Sequence, residues 1–258
     1  MEAEKNLKKT VLSQYIGRIV KILISLILGP LVARYLGPED LGKLSYVTSI
    51  SFLLIPLIDL GSKELIAIFL TRKINKIKLI NTALTIQLFG TSIVTFILFL
   101  FAIFSKNKEL LILFILEIFI VIFLYGDIYE YELINLGKGS KVAKVFLAKE
   151  LTYFFSALAA IFLNAELFVF SLLNVLSSGL RVFLFSNLKV SNIRFTFLKL
   201  FKKKLAIIFL SRSLPLILSN VSDTMLMRSD QLMIQAYLGS SELGQYAVSV
   251  KVAETLYF

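Results

Sequence analysis

Cysteine, histidine and tryptophan are all missing from the 258 residues. Without cysteine there is no disulfide framework and no thiolate chemistry. Without histidine the chain lacks the commonest metal ligand and the side chain best suited to moving protons at neutral pH. Any interfacial aromatic belt must come from its 10 Tyr and 23 Phe. A phosphate-cradling nucleotide loop is also missing, since GKGS at 137–140 lacks the upstream glycine. No nucleophile elbow occurs, and the links between apolar runs are too short for a soluble catalytic domain. An enzyme is therefore not expected, and no cofactor or metal site is. The first apolar run is too long for a cleavable signal peptide and is followed by further runs.

What the chain has is apolar length. Hydrophobic residues make up 57% of it, and the mean hydropathy is +0.84. A membrane-spanning helix needs about 20 mostly apolar residues. Eight candidate spans follow: about 11–33, 44–60, 81–104, 110–125, 145–163, 167–188, 205–236, and one from 246 onward. The fold class expected is all-α, a polytopic helical membrane protein.

One motif occurs twice. RYLGPEDLGKLSYV at 34–47 is matched by AYLGSSELGQYAVS about two hundred residues later. Tyr35, Leu36, Gly37, Leu41 and Gly42 recur as Tyr237, Leu238, Gly239, Leu243 and Gly244, and Asp40 recurs as Glu242, all at an offset of 202. An internal duplication accounts for this better than two unrelated turns. Residues 1–204 then form a first bundle of about six helices, and 205–258 begin a second. Because six spans separate the two motifs, both must lie on one side of the membrane. Parallel repeats related by an axis along the membrane normal satisfy that condition. A matching second half needs about four more helices, so the chain is expected to be the N-terminal part of a longer protein.

The net charge of +11 is placed by topology. Seventeen Lys and Arg fall in the N-terminal tail and the links after the second, fourth and sixth spans, against four in the other links. Positive links stay cytoplasmic, so the N-terminus is expected there and the YLG motifs outside. A nucleic-acid partner is not expected.

Ionisable residues inside spans mark cavities or partners. Gln14, Gly17, Arg18, Lys21, Ser25 and Gly29 recur at helical spacing on one face of the first span. They line either a hydrated electropositive cavity or a path along which Arg18 and Lys21 snorkel to headgroups. Lys21 lies roughly 15 Å into the span at 1.5 Å per residue, which favours the cavity. On the seventh span Arg212, Pro215, Ser219 and Ser222 share a face, with Asn220, Asp223, Met227 and Asp230 beside it. Pro215 is expected to kink that helix, and Gly29 and Pro30 the first. Asp223 and Asp230 serve either the cavity or structural pairing with the first span or Arg228. Asp59 is expected to pair with Lys63, Glu117 to be a buried hydrogen-bonded acid or else a proton carrier, Arg181 to snorkel, and Asp127, Glu130 and Glu132 to pair at the surface with Lys138 and Lys141.

The run from Arg18 through ARYLGPEDLGKLSYV, and RSLPLILSN…RSDQLMIQAYLGSSELGQYAVSVKVAE, resemble polysaccharide-exporting flippases of the multidrug/oligosaccharidyl-lipid/polysaccharide superfamily. The likeness is nearest to the O-antigen and capsule repeat-unit translocases. It implies alternating-access movement of an undecaprenyl-diphosphate-linked oligosaccharide across the bacterial inner membrane, with Gln14, Arg18, Lys21, Ser25, Arg212, Asn220, Asp223 and Asp230 as cavity residues. It implies a coupling ion, H+ or Na+, not assigned to any residue, and polysaccharide polymerase and chain-length proteins as partners. Export of drugs or other small molecules by the same superfamily, and a non-transporting scaffold of a polysaccharide assembly complex, are the alternatives.

Overall fold

A computed structural model describes residues 2–60, 76–105, 107–125, 127–188 and 203–257. Lys63 and most of the basic links at 63–78 and 189–204 lie outside the described residues. The elements are α1 (Glu2–Asp59), α2 (Lys76–Phe104), α3 (Lys108–Leu124), α4 (Asp127–Asn135), α5 (Gly139–Phe162), α6 (Leu167–Asn187), α7 (Lys203–Tyr237) and α8 (Ser240–Tyr257). No strand occurs among the described residues. Four helical stretches there are long and apolar enough to cross a membrane: Leu12–Asp59, Ile80–Phe104, Gly139–Phe162 and Leu167–Asn187. The protein is an all-helical polytopic membrane protein.

The first stretch is two spans, because α1 is broken at Gly37, with φ 76° and ψ 172°. That region of backbone space is open essentially to glycine alone. Pro38 follows as the first residue of the second limb, where a missing N–H leaves no helical bond unmade. The second copy repeats the device: α7 stops at Tyr237, Gly239 has φ 94°, and α8 starts at Ser240. The second limb of α1 and helix α8 thus start at 38 and 240, not at about 44 and 246. The reason is that one glycine makes each turn. The polar residues read as a link form the first helical turn instead, where Glu39, Asp40 and Glu242 face the positive end of the helix dipole. The polar segment after α3 likewise contains the short helix α4.

Three apolar clusters hold the bundle. Val47, Ile50 and Ile58 of the second limb pack with Val94 and Leu98 of α2 and Phe114 and Val121 of α3. Leu28 and Val32 of the first limb pack with Ala157, Ala160 and Phe170 of α5 and α6. Leu133, Val142, Val145 and Phe185 join α4, α5 and α6. Lipid offers no hydrophobic drive for helix association, so close backbone approach and polar contacts matter more. Gly90 provides one such approach: a Cβ there would lie 2.2 Å from the Leu57 carbonyl oxygen.

Polar contacts gather the turns at one end. The Tyr35 hydroxyl donates to the Ala165 carbonyl at 2.9 Å, tying the end of the first limb to the α5–α6 link. Lys43 is buried and reaches Glu109 at 2.7 Å, Asp40 at 3.0 Å and Glu39 at 3.1 Å, which ties the second limb to the start of α3. The two YLG turns meet at the same end. A Cβ on Gly42 would lie 1.7 Å from the Ser240 carbonyl oxygen, and one on Gly244 would lie 1.8 Å from the Pro38 carbonyl oxygen. Those contacts exchange under the 202-residue offset, so α8 and the second limb of α1 lie side by side about a pseudo-two-fold axis. The expectation that both motifs share one side follows through to direct contact.

Candidate functional site

Along the first limb of α1, Gln14, Gly17, Arg18 and Lys21 line one cavity of about 290 Å³. Glu130 of α4 and Glu150 of α5 stand in its wall. Ile19, Leu23 and Ile27, on the other faces of the same limb, are exposed as lipid-facing residues should be. Ser25 and Gly29, further toward the YLG end, line a second cavity of about 260 Å³. Its polar wall includes Thr48, Glu117, Lys149, Glu150, Asn174 and Lys251, with Tyr153 and Phe170 as aromatic surfaces. Glu150 belongs to both walls, so the cavities adjoin there. A third cavity of about 170 Å³ shares Thr48 and Lys251 with the second and adds Ser49, Arg228, Gln231 and Glu254. Together they make a polar tract of neighbouring cavities through the apolar bundle.

The third cavity sits on the pseudo-two-fold axis. Ser45, Thr48, Ser49 and Phe52 line it from α1, while Ala247, Val250, Lys251 and Glu254 line it from α8. The second set is the first plus 202. Equivalent positions facing each other at equal depth are what two parallel helices about an axis along their length produce. Arg228 of α7 closes one side, pairing with Glu254 through both carboxylate oxygens at 2.9 and 3.2 Å. Its guanidinium stands 4.6 Å from the centre of the Phe52 ring. Arginine satisfied by a carboxylate fork and an aromatic face is well suited to a partly dry interface.

The candidate site residues divide into two groups. Gln14, Arg18 and Lys21 come together in the first cavity, and Ser25 lies in the second. The four on α7 do not join them: Arg212 and Asp223 are exposed, Asn220 and Asp230 are half-buried, and none lines the three cavities. Asp230 accepts a hydrogen bond from the Tyr246 hydroxyl of α8 and another from the Gln231 backbone N–H. Arg228 therefore pairs with Glu254 rather than with Asp230. The repeat also makes Asn220 the counterpart of Arg18 and Asp223 that of Lys21, so the cationic pair is not duplicated.

Two expectations are corrected. Arg181 does not snorkel: it is buried and pairs with Asp127 at 2.9 Å, with the Phe146 ring 5.8 Å from its guanidinium. Asp127 is accordingly an interior partner rather than part of a surface cluster, because it lies three residues past the end of α3, where Arg181 of α6 also reaches the Phe123 carbonyl at 3.5 Å. The backbone of α1 breaks at Gly37, and the helix continues through Gly29 and Pro30, as α7 does through Pro215. Glu117 is buried, as its position in the fourth span suggests, and stands in the wall of the second cavity. Lys149, Glu150, Asn174, Lys251 and Glu254 are absent from the candidate set. Carrying the offset beyond the YLG motif aligns Lys251 with Ser49 and Gln231 with Gly29, a signal that was available.

These features define a class: an all-helical polytopic membrane protein with adjoining cavities lined by charged and polar side chains in a bundle built on a duplicated turn. The family description that matches, over residues 7–256, is "Polysaccharide biosynthesis protein". The chain belongs to that family. No curated protein matches it, and no solved structure does.

Proposed function

We propose that the protein moves a lipid-linked oligosaccharide, carried on undecaprenyl diphosphate, across the bacterial inner membrane by alternating access. Membership of the polysaccharide biosynthesis family supports the substrate class. The observation that carries the mechanism is the placement of Gln14 and the exposed Arg18 and Lys21 on one wall of an open cavity between α1, α4 and α5. A diphosphate is excluded from hydrocarbon by the cost of desolvating its charge. Cations in a hydrated cavity remove that barrier while the prenyl chain stays among lipid tails. In this account the N-terminus and the basic links are cytoplasmic, the YLG turns face outward, and residues 1–204 and 205–258 are a first bundle and the start of a second. The protein is a transporter and not an enzyme, with surface-polysaccharide polymerase and chain-length proteins downstream of it.

Replacing Arg18 and Lys21 together with Gln tests the reading. Export of surface polysaccharide should fall to the deletion background while the amount of protein in the membrane stays unchanged. Unaltered export would remove these two residues from the path. A second reading, export of small organic molecules, draws on the carboxylates Glu117 and Glu150 in the second cavity. It predicts raised drug sensitivity, with normal surface polymer, in a deletion strain.

A further inference from the structure

The second cavity carries polar groups that a diphosphate path leaves unused. Ser171 and Asn174 lie three residues apart on one face of α6, and Glu150 and Tyr153 lie three apart on one face of α5. All four stand in the cavity wall. Ser171 is buried, at 5% exposure. Asn174 and Tyr153 accept from Ser177 and Ser156, but only through their backbone carbonyls. Among the described residues, the Ser171 hydroxyl, the Asn174 amide and the Tyr153 hydroxyl have no hydrogen-bond partner. Polar side chains inside a membrane bundle are ordinarily paired, so three open ones around one cavity point to a ligand. Glu150 is held differently: Lys149 bonds its Oε1 at 3.2 Å, which leaves Oε2 to accept.

The donor set matches a sugar. An amide offers both donors and an acceptor, a hydroxyl offers both, and an ionised carboxylate accepts only. A pyranose ring presents hydroxyls that donate and accept at its edge, while its C–H faces pack on an aromatic ring such as that of Tyr153. Two lysines in the wall, Lys149 and Lys251, are matched by two glutamates, Glu117 and Glu150, which suits a neutral ligand better than an anion. The volume of about 260 Å³ lies a little under the roughly 300 Å³ at which pockets for drug-sized molecules begin. It takes one sugar ring and not a chain of them. The cavity adjoins the first one at Glu150. Ser25 in its wall follows Lys21 on the same face of α1 by four residues, about 6 Å at 1.5 Å per residue. A diphosphate at Arg18 and Lys21 would therefore put the sugar bonded to it between α5 and α6.

We propose that the second cavity recognises the sugar attached directly to the diphosphate, with Ser171, Asn174 and Glu150 reading its hydroxyls and Tyr153 covering a ring face. Resting on the transport reading above, this adds substrate selection to it. A site built to bond a hydroxyl rejects a ring in which that hydroxyl is missing or turned away, because its own buried groups are then left unpaired.

The full chain, purified in lipid nanodiscs, is titrated with farnesol, with farnesyl diphosphate, and with farnesyl diphosphate bearing glucose, galactose, N-acetylglucosamine or N-acetylgalactosamine. One of the four sugars should raise affinity over farnesyl diphosphate about tenfold or more, and its 4-epimer should gain less. Asn174→Ala and Ser171→Ala should each cut that gain about two- to tenfold, the range for one hydrogen bond between neutral groups, and leave the affinity for farnesyl diphosphate alone unchanged. Side chains that only pack α6 would weaken the bare and the sugar-bearing probes alike, and that result overturns the site. So does a wild-type protein that binds all four sugar-bearing probes no tighter than farnesyl diphosphate. In either case the transport reading stands if farnesyl diphosphate is preferred to farnesol and Arg18→Gln/Lys21→Gln removes the preference. No preference for farnesyl diphosphate over farnesol in the wild type overturns the transport reading and the sugar site with it.

Discussion

Gly42→Ala puts the pseudo-two-fold contact under direct strain. The new methyl would lie 1.7 Å from the Ser240 carbonyl oxygen, 2.6 Å from its carbon and 3.0 Å from its Cα. All three are backbone atoms in the first turn of a helix, so none can rotate away and α8 must shift bodily. Overpacking of this kind costs about 1–3 kcal/mol, and a shift of about 2 kcal/mol corresponds to about 4–8 °C in Tm for a chain of this size. Gly244→Ala meets the Pro38 carbonyl oxygen at 1.8 Å and its carbon at 2.7 Å, so its loss should match within experimental error. The double variant should lose less than the sum, because separating the helices once makes room for both methyls. Gly17→Ala is the control, since its Cβ would meet only the Ala143 Cβ at an ordinary 3.8 Å. The assay is thermal unfolding of the purified proteins in one detergent. A Tm for Gly42→Ala equal to that of Gly17→Ala would refute the crossing of the two repeats at these glycines.

Other outcomes follow from the same geometry. Gly37→Ala meets nothing within 4 Å, yet φ 76° and ψ 172° should make it destabilising by about 1–3 kcal/mol, which the same thermal assay would detect. Arg181→Met should cost about 3–5 kcal/mol by leaving Asp127 as an unpaired interior carboxylate, and Arg181→Met/Asp127→Leu should recover most of it; membrane abundance and Tm read both. Tyr246→Phe removes the hydroxyl that donates to Asp230 and should lower stability by about 1.5–3 kcal/mol, the range for hydrogen bonds to charged groups.

Helices and turns were readable from sequence because both are local signals. Hydropathy marked the apolar helices, and glycine before a polar, acidic pair marked the turns. The boundaries of the second and eighth spans were displaced because Pro38–Lys43 and Ser240–Gln245 look like a link in composition, while a single glycine makes each turn. Arg181 shows what remained hidden. Its charge and its distance from the end of the span suggested solvent, and only the packing of the α3 end against α6 brings Asp127 to it. The cationic face of α1 was readable at helical spacing, whereas its continuation was not, since the next cation arrives from α8 into a gap left by Gly29. Gly29 has the stem of the Lys251 side chain packed against it. That correspondence was present in the sequence as an exchange of Gly–Lys for Gln–Ser, legible once the offset of 202 is carried past the motif.

The most direct test of transport is made in a deletion strain complemented with the full-length gene, by measuring the leaflet in which prenyl-diphosphate-linked glycan accumulates together with surface polysaccharide. The account predicts glycan trapped in the cytoplasmic leaflet and loss of surface polymer, both reversed by the wild-type gene and neither by Arg18→Gln/Lys21→Gln. Glycan reaching the outer leaflet at the normal rate without the gene would contradict it.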